Sequence, residues 1–105
     1  MKEDFEITRD DIPEGVKFIL IGRVNSMNAD KLLKELEGAL NNGQKNIVLN
    51  MLRVEYLSSA GIRVILKAYK DAKAAGGKFG IEWPSESVRN VLGMTALDDM
   101  LINQP

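Results

Sequence analysis

The chain has 105 residues, 45% of them hydrophobic and 28% charged, with a formal net charge of -1 and a pI near 5.4. These values suit one globular domain spanning residues 1–105 and exclude disordered and fibrous classes, while the interspersed acids and bases leave no basic stripe for nucleic acid. With no Cys and no His in the sequence, disulfides, thiolate chemistry, the usual general base near neutral pH and the commonest metal ligand are all missing, so no metal and no cofactor are expected.

In chain order, Phe5 to Arg9 and Val16 to Arg23 read as strands of an N-terminal hairpin, separated by the turn formers of Asp10-Asp11-Ile12-Pro13-Glu14-Gly15. A helix follows, with Asn28 as its cap, Asp30 in its first turn and Met27 placed to staple onto Leu32. Leu33, Leu36 and Leu40 give this helix an apolar face, and Asn41-Asn42-Gly43 ends it. Asn46 to Met51 is a short continuous apolar run, as expected of a central strand covered on both faces.

A second helix is expected from about Ser59 to Ala75, with Ile62, Ile65, Leu66, Tyr69 and Ala72 on its inner stripe and Gly76-Gly77 as its stop. Lys78 to Trp83 reads as the next strand. Pro84-Ser85 then opens a short helix that turns Val88, Val91 and Leu92 inward. The final Leu97 to Ile102 is too short to classify. The order predicts an α/β fold: a mixed sheet of four to five strands, beginning with the hairpin, with helices packed on it through right-handed parallel crossovers.

The residues that invite a functional reading are Leu57-Ser58-Ser59-Ala60-Gly61, between a buried strand and the longest helix, where ligands and functional groups gather in open α/β sheets. Ser58 is explained as a helix cap, but capping does not call for a second serine followed by two small residues. The end of this segment is similar to a hydrolase nucleophile elbow, yet Leu57 stands where its leading Gly should be and no His is present to activate the serine, so an enzyme is not expected. Gly76-Gly77-Lys78-Phe79-Gly80 has the wrong order of elements for a phosphate loop and reads as a turn. Asp10-Asp11 and Asp98-Asp99 read as solvated charges. Met51, Met94 and Met100 read mainly as core fillers, and Trp83 as a strand-end anchor.

Tyr56-Leu57-Ser58-Ser59-Ala60-Gly61-Ile62-Arg63-Val64-Ile65-Leu66 resembles the signature segment of the STAS family, the anti-sigma factor antagonists. Gly22-Arg23-Val24-Asn25, Lys45 to Asn50, Gly76-Gly77-Lys78 and Val91 to Asp98 are similar to its other landmarks. The resemblance implies a stand-alone regulator that binds an anti-sigma factor serine kinase. That kinase phosphorylates a Ser or Thr in the signature loop, and a PP2C-type serine phosphatase reverses the modification. Anchoring on Gly61 places the acceptor at Ser59, and the implied partner-binding set is Asn25, Ser26, Ser58, Ser59 and Gly61. Ser58, Asn25 and Asn50 stand where many members carry Asp.

A cytoplasmic location is expected, since runs such as Phe18-Ile19-Leu20-Ile21 fall far short of the roughly 20 residues that span a bilayer, and Met1 to Asp4 is no secretory leader; a monomer when free is expected as well. Two rival readings belong to other pathways or classes: a STAS regulator in a different kinase and phosphatase circuit, and a nucleotide sensor using a pocket between Asn25 and the Ser58-Ser59 loop.

Overall fold

A computed structural model describes residues 4–95 and the backbone of 101–102. Its elements are β1 (Phe5–Ile12), β2 (Gly15–Val24), α1 (Ala29–Asn41), β3 (Asn46–Leu57), α2 (Ser59–Ala74), β4 (Lys78–Glu82), α3 (Glu86–Met94) and β5 (Leu101–Ile102). The strands form one sheet in the order β1-β2-β3-β4-β5. β1 runs antiparallel to β2, and every later pair is parallel. This is the mixed sheet expected from the sequence, with β3 in the middle.

The hairpin is longer than its apolar pattern suggests. Pairing continues to Ile12 opposite Gly15, leaving only Pro13 and Glu14 as the turn. Glu14 takes the left-handed conformation this tight reversal needs, with φ of 61°, and its carbonyl oxygen accepts the Lys45 and Asn46 amides at the start of β3. At the other end of β2, Gly22 has φ of +106°, and a Cβ there would lie 2.0 Å from the Asp4 carbonyl oxygen. Only glycine meets both demands.

Alternation along β2 sends Val16, Phe18 and Leu20 into the core, where all three are fully buried. Through the parallel register they share a face with Ile47 and Leu49 of β3, and those with Phe79 and Ile81 of β4. Leu32, Leu36 and Ala39 of α1 and Ile65, Ala68 and Ala72 of α2 join the same cluster. Burial of each large aliphatic side chain contributes about 1.5–3 kcal/mol.

β3 departs most from expectation. It runs to Leu57 instead of ending at Met51, and it carries one surplus residue opposite the Ile19–Ile21 step of β2 and another opposite Gly22–Arg23. These bulges bring Met51, Val54 and Leu57, three residues apart, all into the core. β4 pairs β3 only as far as Asn50. Beyond it, Ser85 ties α3 to β3: its amide donates to the Met51 carbonyl at 3.1 Å and its hydroxyl to the Val54 carbonyl at 2.6 Å.

Three local expectations need correction. Asn28 precedes α1, but its side chain makes no capping bond to the helix; its amide group is taken up by the preceding turn, described below. Met27 does not staple onto Leu32, because it stands 91% exposed. Met94, read as a core filler, is 85% exposed on α3, whereas Met51 is buried. Trp83 follows β4 with φ of 50° and is half exposed, while its neighbour Pro84 is buried. Met100 and Asp98-Asp99 lie outside the described residues.

On the opposite face of the sheet, Lys17 of β2 reaches across β3 to Glu82 of β4, with its Nζ 2.9 Å from the carboxylate. Glu82 is only 6% exposed. Replacing Lys17 by Met would leave that carboxylate buried and unpaired, at a cost of about 3 kcal/mol. The double replacement Lys17→Met with Glu82→Leu is expected to recover most of this, and urea denaturation of the three variants checks it.

Candidate functional site

β2 and β3 end side by side, with Val24 opposite Leu57. The register extends one step further, as the Ser58 amide donates to the Val24 carbonyl at 2.8 Å. From this shared edge the two chains diverge: residues 25–28 turn into α1, while Ser58 enters α2 directly.

Ser58 is extended, with φ of -75° and ψ of 169°, and its Oγ accepts the Gly61 amide at 3.2 Å. Its carbonyl receives the Ile62 amide at 2.9 Å. Ser58 therefore caps α2, as its position in the sequence predicts. Ser59, the first residue of the helix, is exposed, and its hydroxyl has no partner among the described residues. Gly61 is buried, and a Cβ there would come within 2.7 Å of Leu57 Cδ1 and 2.8 Å of Val24 Cγ1. Its contribution is to let the helix settle against the two strand ends.

The turn before α1 is closed by two asparagines. Asn25 Oδ1 accepts the amides of Met27 at 2.9 Å and Asn28 at 3.1 Å. Asn28 Oδ1 accepts the Asn25 amide at 2.9 Å, and its Nδ2 donates to the Arg23 carbonyl at 2.8 Å. Such side-chain mimicry of backbone turns explains both residues without charge. Ser26 and Met27 are thereby held out on a braced loop beside the first turn of α2, and both are exposed. Asn50 is elsewhere: it lies at the β4 end of the strand pairing and accepts the Leu52 amide at 3.1 Å.

An open groove of about 270 Å³ runs from this loop between the helices, with Ala29 and Leu33 of α1 facing Ala60 and Val64 of α2 and with Asp30, Arg63 and Lys67 at its rim. Lys67 is committed. It donates to Asp71 at 2.8 Å and lies 3.5 Å from Glu37. The hydrogen bond and charge of Asp71, with Glu37 adding to them, hold its ammonium above the usual lysine range. A larger cleft of about 810 Å³ opens beside the start of α3, lined in part by Ile21, Arg23, Arg53 and Glu55. Neither concavity is lined by Asn25, Ser58 or Ser59. Among the described residues no three acidic side chains gather where they could hold a metal, and no helix is long and apolar enough to cross a membrane.

The STAS domain sequence model matches residues 7–104. The chain belongs to the STAS domain family. BtrV of Bordetella bronchiseptica, provisionally assigned as an anti-sigma factor antagonist, is 37% identical over 73 residues, covering 70% of this chain and 63% of that protein. The match to this relative therefore spans less than two thirds of its length. Among solved STAS structures, TM1081 of Thermotoga maritima superposes with a TM-score of 0.78 at 28% identity, covering 90% of this chain and 82% of that one. The Bacillus protein SpoIIAA in its unphosphorylated form gives a TM-score of 0.83 at 19% identity, covering 95% and 89% of the two chains, and it has also been solved phosphorylated. At that identity the likeness is one of fold.

Within this STAS domain the structure separates the two serines by their work. Met27 stands exposed on the turn before α1 and Arg63 at the rim of the groove, and the sequence singles out neither: Met27 is masked by its spacing to Leu32, and Arg63 looks like any exposed helical cation. Ser58→Ala is expected to lower stability by about 1 kcal/mol through loss of the cap. Ser59→Ala should stay within about 0.5 kcal/mol of the parent. Chemical denaturation followed by circular dichroism distinguishes the two.

Proposed function

We propose that this protein is an anti-sigma factor antagonist, a cytoplasmic, non-enzymatic binding module switched by phosphorylation of Ser59. The observation that carries the reading is the Ser59 hydroxyl: exposed, unpartnered among the described residues and fixed on the first turn of α2 while Ser58 does the structural work. Family membership and the relatives' assignments support the class of partner, an anti-sigma factor; that this partner is a serine kinase, with a PP2C-type phosphatase resetting the site, is what the resemblance of the signature segment implies.

In this reading the partner contacts the edge formed by Asn25, Ser26, Ser58 and Ser59, with Gly61 keeping the helix close beneath. Phosphoryl transfer forms a bond from Ser59 Oγ to the γ-phosphorus of a nucleoside triphosphate as the bridging bond to the β-phosphate breaks. The nucleoside diphosphate leaves, and the hydroxyl proton passes to a base on the kinase. The product gains about -1.5 to -2 charge at neutral pH. An interface that left this charge unpaired would weaken by several kcal/mol, enough to end the complex without any change of fold.

Ser59→Ala should bind the kinase partner like the parent, whereas Ser59→Asp should bind at least tenfold more weakly; equal affinities in isothermal titration would sink the phosphorylation switch. Met27 supplies an exposed apolar anchor on a braced loop, where little conformational freedom is lost on binding. Met27→Ser is expected to weaken the same complex about tenfold, in line with the loss of one buried apolar side chain, while leaving the melting temperature unchanged.

A further inference from the structure

The rim of the groove between α1 and α2 carries two cations in very different situations. Lys67 is held by Asp71 and Glu37. Arg63, one turn closer to the start of α2, is exposed and makes no hydrogen bond, ion pair or ring contact among the described residues. Asp30 lines the same groove from α1 without pairing to it, and α2 has no acidic residue in its first turn. An uncommitted guanidinium thus stands four residues after an uncommitted hydroxyl, that of Ser59.

Residues at i and i+4 of a helix lie on one face, and helical side chains lean towards the N-terminus, which carries the Arg63 head group back over the Ser59 turn. The orientation, with the site of negative charge N-terminal and the cation C-terminal, is the favourable one for such pairs. Guanidinium also offers two parallel N–H donors that match phosphate oxygens. We infer that Arg63 is the intramolecular receptor for a phosphate on Ser59. This rests on Ser59 being the modified residue.

The consequence is a double change at the groove's rim. Modification adds a dianion beside the Ser26-Met27 loop and at the same time withdraws from solvent the one rim cation that no acid of the described fold engages. Lys67, held by its own acids, is not free to take that place.

The test uses the full chain with phosphoserine installed at position 59 during translation, so that no kinase is needed. ³¹P NMR across pH then reads the second ionisation of the phosphate directly. Pairing with Arg63 stabilises the dianion, so Arg63→Gln should raise this pKa by about half a unit relative to the parent phosphoprotein. Lys67→Gln, an equal change of charge one turn further on, should move it by less than half as much. The helix N-terminus acts equally in all three proteins and cancels. An unchanged pKa in Arg63→Gln, or equal shifts in both variants, overturns the inference. Circular dichroism verifies that each variant keeps the parent fold. Failure of any kinase to modify Ser59 in cells would instead count against the switch reading, and the installed phosphate keeps the two outcomes apart.

Discussion

Where β2 and β3 run out together, the Ser58 amide still reaches the Val24 carbonyl and Gly61 packs without a side chain against Leu57 and Val24. That junction positions everything at the candidate edge. It fixes the start of α2 against the end of β2, from which the turn into α1 departs, so two helix beginnings far apart in sequence share one surface. The asparagine-braced turn makes the other half of the edge equally definite. A side chain larger than hydrogen at 61 would push the first turn of α2 away from the strands and with it the serine it presents.

Much of the fold is legible in the sequence because the signals are local. Continuous apolar runs marked the inner strands, and the glycine pairs and asparagines marked the helix ends. What was not legible depends on neighbours. Met51, Val54 and Leu57 are spaced as on a helix, and only the two bulges in β3, set by its pairing with β2, turn them to one side. The inner stripe of α2 also includes Val64 and Ala68. Alanine carries little hydrophobic signal, yet it is what lets α2 come close to the sheet and to α1.

The candidate site was legible in part for the same reason. Helix-start rules found Ser58, and the likeness of the segment to the STAS signature, anchored on Gly61, pointed to Ser59. Those rules misled at Met27 and Asn28, because spacing to Leu32 and position before a helix cannot show that the turn's own hydrogen bonds have already claimed Asn28 and swung Met27 outward. Arg63 could not be singled out from sequence at all: its interest comes from the acids that engage its neighbour Lys67 and not itself.

The division of labour between adjacent serines bears on the protein's lifetime in the cell. Degradation of a small domain follows the fraction of molecules that open, and that fraction is set by folding free energy. Ser58 contributes to that energy through its cap, whereas the unmodified Ser59 hydroxyl engages nothing among the described residues. Exchanging Ser59 for another small neutral residue therefore leaves the rate at which proteases consume the chain unchanged, while loss of the cap at 58 raises it.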